Sequence, residues 1–258
     1  MTAIHPAAIV DKRARLGERV SVGPYTIVDG DVEVGEGTTI GAHNVITGRT
    51  RIGRDNRIFH FCSIGEANQD KKYAGEPTRL EIGDGNTIRE YCSFNRGTAQ
   101  DEGVTRVGDD NWIMAYCHVA HDCHVGSHTV FANNATLGGH VSIGDFTVLG
   151  GFVGVHQFVK IGAHVMAGVS SVITQDVPPY LLVAGNPCTT HGINAIGLKR
   201  RGFSDAAVAA IKRAYKTLYR SGLSLADAKA SLAKQAAETE EVRAFAAFLE
   251  TSERGILR

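Results

Sequence analysis

Three histidines, two cysteines and an aspartate fall within the ten residues CHVAHDCHVG, Cys117 to Gly126. Residues of these types at short spacing can do two kinds of chemistry. Thiolates and imidazoles together can hold a zinc ion. An imidazole beside a carboxylate can instead move a proton as a general base. Which is available depends on which side chains point inward and which share a surface, and so on the elements that carry them.

Those elements are set by a six-residue period. Counting from Ile4, every sixth residue is aliphatic through Ile64; the phase resumes at Ile82, Ile88 and Phe94, slips once, and runs on from Val107 to Ile173. This period matches neither a 3.6-residue helix nor an alternating hairpin. It predicts a mainly β protein, a parallel β-helix in which three hexads make one triangular coil of eighteen residues. Each hexad turns one aliphatic side chain inward, and successive coils rise by about 4.8 Å. Glycine often follows the aliphatic residue, as at Gly17, Gly35, Gly53, Gly126 and Gly144. Its predicted role is the tight corner, where φ is positive.

Two polar stretches interrupt the period, near 66–79 and 95–106, and are expected to leave the solenoid as loops. The hexads stop at DVPPY, Asp176 to Tyr180, because proline removes ladder donors. The expected organisation is a β-helix over 1–177, then a connection and a small C-terminal α-helical domain over 178–258. Ser204 is a suitable N-cap for the first long helical run, which Gly222 ends; two further helices are expected from about Ser224 to Lys234 and Thr239 to Arg254.

The period bears directly on the opening decapeptide. Cys117 and Cys123 precede the inward Val119 and Val125 by two positions, a slot filled elsewhere by Ala8, Thr26, Thr38 and Ala135. They are therefore expected to be core residues, which removes most ligands of a Cys/His zinc site. Adding eighteen moves one coil up. His121 should lie beneath Gly139, with Gln157 above; Asp122 should lie beneath His140; and His156 should stand over Gly138. Histidines gathered at one corner with glycines overhead suit a groove where substrate approaches backbone. Two chemistries remain open at this point: a three-histidine metal site at a subunit interface, and a single histidine acting as general base for acyl transfer.

Composition narrows the partners. Lys and Arg number 27, balanced by 27 Asp and Glu, so there is no basic field to hold nucleic acid or an anionic membrane. No apolar run is long enough for a transmembrane segment, and the N-terminus lacks the order of a signal peptide, which predicts a soluble, cytoplasmic chain. Five cysteines, an odd number, are expected to be free thiols.

HVAHDCHVG, taken with NQDKKYAGEPT, NNATLGGHV, VHQF, DVPPY and GLKRRGF, resembles the UDP-N-acetylglucosamine acyltransferases that begin lipid A synthesis in Gram-negative bacteria. The likeness runs nearly end to end, and KYAGEPT and LKRRGF lie outside the repeat. The resemblance implies a left-handed β-helix and a homotrimer with active sites between neighbouring subunits. It implies transfer of an R-3-hydroxyacyl chain from acyl carrier protein to the glucosamine 3-hydroxyl of UDP-N-acetylglucosamine, with no cofactor and no metal. His121 matches the family's general base, Asp122 its orienting partner and Gly139 its oxyanion donor. His118, His140, His156 and Gln157 match positions lining the sugar and acyl-donor region. Asp70 and Lys72 match contacts to the sugar nucleotide, and Asn194 and Arg200 match contacts to its nucleotide end.

The sequence departs from the family pattern in two places. Ile196 stands where members carry an acidic residue, so one polar contact to the nucleotide should be missing. Val169 stands where some members have glycine along the acyl tail, which predicts a chain shorter than fourteen carbons. The later N-acyltransferase of the same pathway carries an extra N-terminal uridine-binding domain, for which hexads starting at Ile4 leave no room. N-acylation of a 3-amino sugar nucleotide, a carbonic-anhydrase-like metal enzyme and a non-catalytic scaffold are the competing readings. A basic stripe for the acidic carrier protein is expected around Lys199 to Arg201 and Lys212 to Arg213.

Overall fold

Most hexads fold as a strand of two residues followed by a corner, as in Ser21–Val22, Ile27–Val28, Thr39–Ile40 and Val45–Ile46. The second residue of each strand points inward, and these form a continuous core from Val22 through Ile46, Ile64, Ile88, Phe131 and Leu149 to Ile173. Fully burying one such side chain contributes about 1.5–3 kcal/mol. The computed structural model describes residues 2–237, 239–252 and 254–258. Among these residues the strands form sheets of eleven, nine and eight members, the three faces of a left-handed parallel β-helix. Ser21 pairs with Thr39, one coil of eighteen residues further on, as the period predicts.

The register also shows what the interruptions do. Arg57 pairs with Thr87 and Thr87 with Trp112 on the first face, so each insertion lengthens one coil without displacing the next strand. Both insertions leave from the same place, the corner joining the second face (Ser63–Glu66, Ser93–Asn95) to the third (Arg79–Ile82, Val104–Val107).

Glycine does not serve the corners in the way the sequence suggests. Of the glycines after inward residues only Gly65 has positive φ, and the left-handed position falls two residues later, at Tyr25, His43, Phe61, Tyr91 and Tyr116 among others. The glycines are needed because coils approach closely there: a Cβ on Gly35 would lie 2.5 Å from the Gly53 carbonyl carbon, and one on Gly144 would lie 2.4 Å from the Ala163 nitrogen. Left-handed backbone costs a non-glycine residue about 1–2 kcal/mol. Stacking offsets part of this, since the rings of Tyr25, His43, Phe61, Tyr91 and Tyr116 follow one another at 5.0, 5.0, 5.2 and 4.8 Å up one corner.

All five cysteines are free and buried. Burial pushes the Cys123 thiol up to about 12, so it is an inert filler.

The region after the prolines holds more structure than the sequence suggests. Leu181–Ala184 continues the first face, pairing parallel with Met166–Ala167, and Thr189–Ile193 returns antiparallel to it. A short helix, α1 (Ala195–Arg200), follows with Asn194 as N-cap, where the sequence suggested only a connection. Three longer helices complete the chain: α2 (Asp205–Tyr219), α3 (Leu225–Gln235) and α4 (Glu240–Thr251), capped by Ser204, Ser224 and Thr239. The C-terminal residues return to the last coil, where the Leu257 N–H donates to the Asp176 carbonyl at 2.8 Å. Gln157 and His156 lie on the coil beneath this end.

Candidate active site

The corner after His118–Val119 holds His121 and Asp122, with His140 one coil above and both insertions beside it. Asp122 has φ of 58° and His140 of 61°, so each occupies the left-handed corner position and its side chain turns away from the barrel core. The resulting cavity is about 900 Å³. It brings together six of the residues singled out above: Asp70, Lys72, His118, His121, His140 and Gln157.

The Nδ1 of His121 is 2.9 Å from Oδ2 of Asp122. The carboxylate is buried, and the second insertion supplies its other partners: the Thr98 N–H lies 2.9 and 3.0 Å from the two oxygens, and the Thr98 hydroxyl donates to Oδ2 at 2.7 Å. Burial by itself would raise the pKa of Asp122. The hydrogen bonds from His121 and Thr98 outweigh that and hold it below the usual carboxylate value. An ionised Asp122 accepts the Nδ1 proton of the His121 imidazole, which leaves Nε2 as the basic nitrogen.

Gly139 lies directly over that ring. A Cβ there would sit 2.4 Å from Cε1 and 2.6 Å from Nε2 of His121, so only glycine permits the stack. Its carbonyl accepts from the Phe158 N–H at 2.9 Å, while its own N–H has no acceptor among the described residues. At another corner some equivalent amides are satisfied by side chains one coil up, the Arg54 N–H by Asp84 at 2.6 Å and the Ser127 N–H by Asp145 at 2.7 Å, whereas those of Glu36 and Ala163, like that of Gly139, have no acceptor among the described residues. An unoccupied donor beside a basic nitrogen is what an oxyanion requires.

His118 has its Nδ1 2.7 Å from the Ser93 hydroxyl, and burial lowers its pKa. His156 is exposed and turned to the Gln157 carbonyl at 3.1 Å, outside the lining of the cavity. Within one chain, Asn194, Arg200 and Val169 are not brought to this corner. Asn194 caps α1 and donates to the His164 carbonyl at 3.0 Å; Arg200 and Ile196 are exposed on the same helix; Val169 is exposed on the corner that carries the stacked aromatics.

The loops hold residues that the sequence did not single out. Asn68 donates to the Gly97 carbonyl at 3.0 Å, Asn95 to the Ala67 carbonyl at 3.2 Å, and Arg96 to the Tyr73 hydroxyl at 3.0 Å, so the insertions brace each other. Thr98 and Asp101 reach the histidine corner itself. The one available signal was their position, since both interruptions fall in the same third of the coil as His121.

His121, Asp122 and His140 offer ligand atoms within 4.8 Å of one another. As a metal centre the set fits poorly: the Asp122 carboxylate already accepts from Thr98 and His121, and His121 presents its Nδ1 to that carboxylate.

A family model described as UDP-N-acetylglucosamine O-acyltransferase, domain 2, matches residues 176–257, and the bacterial transferase hexapeptide model matches 13–48 and 105–139. An acyl-[acyl-carrier-protein]--UDP-N-acetylglucosamine O-acyltransferase of Thiobacillus denitrificans is 60% identical over the full length of both chains, and one of Halorhodospira halophila is 55% identical over the same span. Among solved structures, LpxA from Acinetobacter baumannii is 45% identical with a TM-score of 0.96 over 99% of each chain. The UDP-N-acetylglucosamine acyltransferase of Campylobacter jejuni is 40% identical with a TM-score of 0.93 over 98% of each.

Proposed function

The chain belongs to the acyl-[acyl-carrier-protein]--UDP-N-acetylglucosamine O-acyltransferases, and from that premise we propose how its corner of histidines performs the reaction. The enzyme transfers an R-3-hydroxyacyl group from acyl carrier protein to the glucosamine 3-hydroxyl of UDP-N-acetylglucosamine, the first step of lipid A synthesis. The observation that carries the site reading is His121, held by Asp122 through Nδ1, with its ring beneath Gly139, whose N–H has no acceptor among the described residues.

The Nε2 of His121 takes the proton of the 3-hydroxyl as that oxygen attacks the thioester carbonyl. Asp122 stabilises the imidazolium that forms, and the Gly139 N–H holds the oxyanion, a contact worth roughly 3 kcal/mol of barrier in comparable sites. Collapse of the tetrahedral intermediate breaks the carbon–sulfur bond, and the imidazolium returns its proton to the departing thiolate. Asp70 and Lys72 of the first insertion bind the sugar nucleotide. His118, His140, His156 and Gln157 flank the sugar and acyl donor.

A homotrimer completes the site. The outward residues of the third face are mostly charged, Arg15, Glu33, Arg51, Glu81, Arg106 and Lys160 among them, whereas the second face presents Ile9, Ile27 and Val45. The corner between the first and second faces carries the exposed rings of Tyr25, Phe61, Tyr91 and Tyr116. Placing that corner at a three-fold axis leaves the charged face in solvent and lays the second face of one subunit against the first face of the next. The His121 corner then meets the neighbour's Asn194 and Arg200, and the groove between subunits runs inward toward Val169. Arginine suits the diphosphate through its forked donors, and valine shortens the channel to fit a chain of fewer than fourteen carbons. Among the described residues no helix is long and apolar enough to cross a membrane; a cytoplasmic location agrees with the free thiols.

The test is acyl transfer from a series of 3-hydroxyacyl carrier-protein thioesters to UDP-N-acetylglucosamine, with wild type and His121→Ala, with and without chelator. We expect the 3-O-acyl product regardless of chelator and a loss of orders of magnitude in the variant. Activity abolished by chelator, or retained by His121→Ala, overturns the general-base reading.

A further inference from the structure

The second insertion reaches the catalytic corner at two points, and only one of them involves the His121–Asp122 pair. Its turn runs from Thr98 to Asp101 and is closed by the Asp101 N–H donating to the Thr98 carbonyl at 3.4 Å. Thr98, at one end, holds Asp122. At the other end Oδ2 of Asp101 lies 2.7 Å from Nδ1 of His140, while Oδ1 accepts from the Glu102 N–H at 2.9 Å. Both oxygens of Asp101 are therefore engaged, one by its own loop and one by the imidazole.

His140 is in turn packed against the base. Its ring stands edge-on to His121, with centroids 5.0 Å apart and planes at 87°, and it stacks on Phe158 at 4.3 Å. Its Nε2 lies 3.8 Å from Oδ2 of Asp122, the oxygen that His121 also uses. Rotation of the His140 ring would remove a wall from His121 and move a polar nitrogen relative to Asp122. Phe158 restricts the plane of His140, but stacking does not distinguish a ring from the same ring flipped by half a turn. The hydrogen bond to Asp101 does.

We propose that Asp101 is a positioning residue for the acyl transfer, acting through His140: the 98–101 turn is a clasp that orients both imidazoles of the site, His121 by way of Asp122 and His140 directly. This rests on the function proposed above. Asp101 touches no reacting atom, and its side chain is 44% exposed, so the pair is expected to add little to stability. Its effect belongs on the rate, because a small misplacement of a catalytic group is costly.

The experiment is a double-mutant cycle on the full-length enzyme with Asp101→Ala, His140→Ala and both together, read as kcat and both KM values. Asp101→Ala is expected to lower kcat about tenfold, with each KM within about twofold and the melting temperature unchanged. Asp101→Asn, which keeps an acceptor for the Nδ1 proton, is expected to recover most of the lost rate. In the His140→Ala background the Asp101 substitution should have no further effect. An equal loss in both backgrounds, or no loss in the single variant, overturns the proposal. Imidazole 15N–1H spectra supply a readout that does not depend on turnover: Asp101→Ala should shift or exchange away the His140 Nδ1–H, and an unchanged resonance overturns the proposal even if no acceptor is acylated. Failure of wild type to acylate UDP-N-acetylglucosamine would strike the function proposed above, whereas the ratios and the spectra bear on Asp101.

Discussion

Replacing Asp122 by asparagine is the sharpest perturbation of the proposed mechanism, because it removes one charge and almost no volume. In the folded chain the carboxylate faces three donors: the Thr98 N–H, the Thr98 hydroxyl and Nδ1 of His121. An amide offers one oxygen and a donating NH2 in the same space. The Thr98 hydroxyl can turn to accept, but whichever way the amide is set its NH2 faces a fixed N–H, that of Thr98 from the Oδ1 position at 2.9 Å or that of His121 from the Oδ2 position at 2.9 Å. The simplest relief is for His121 to move its proton to Nε2, the atom that must act as base. The electrostatic loss points the same way. Opposite unit charges 2.9 Å apart attract by about 6 kcal/mol at an effective dielectric of about 20. Water reaching the 16% exposed His121 side chain, and the residual amide dipole, leave about half of that, about 3 kcal/mol or roughly a hundredfold in kcat. The assay is thiol release from the carrier protein at saturating concentrations of both substrates, with the acylated sugar nucleotide confirmed by mass. A kcat within threefold of wild type, in a protein that retains its fold, would refute Asp122 as partner of the imidazolium.

Gly139→Ala should lower kcat at least a hundredfold with the solenoid intact, since the new methyl would occupy the position of the His121 ring; normal kinetics would mean that the ring is not held beneath Gly139 during turnover. Asp122 has its folded pKa below the value of the unfolded chain, so its contribution to stability is present above about pH 4 and is lost as pH falls through the folded value. The gap in melting temperature between wild type and Asp122→Asn should accordingly narrow below pH 4, and a constant gap would contradict this. Val169→Gly should move the preferred thioester to a longer chain, with an unchanged preference removing valine from the acyl channel. Phe61→Glu combined with Tyr91→Glu should release protomers in light scattering and abolish transfer; an intact trimer would place the stacked corner away from the axis.

The inward positions were legible in the sequence because they obey one rule: every sixth residue is enclosed by three walls, and only an apolar side chain fits. The eighteen-residue register that puts Gly139 over His121 and His140 over Asp122 follows from that rule. The corners were less legible. Positive φ suggested glycine, whereas aromatic and imidazole rings occupy most of these positions, where stacking between coils compensates the backbone, polar residues such as Asp55 and Asp122 take others, and glycine marks contact between neighbouring turns. The part played by the second insertion was hidden for a different reason. Thr98 and Asp101 meet Asp122 and His140 through loop conformation, which no period encodes, and Arg200, Asn194 and Val169 lie at other corners of the same chain.

Both insertions emerge from one corner in successive coils, and each returns its chain to the sheet it would have joined anyway. Chain length at that corner is therefore uncoupled from the scaffold. Residues can be added or exchanged at exposed positions of these segments, such as Lys71 and Ala74 in the first and Ala99, Gln100 and Glu102 in the second, without altering which side chains fill the core. Evolution can retune what enters the cavity by editing these exposed positions while Thr98 and Asp101 go on holding Asp122 and His140, and the base and the overhead amide stay fixed by the coil. The same separation makes them the natural place to redirect the enzyme toward another acceptor.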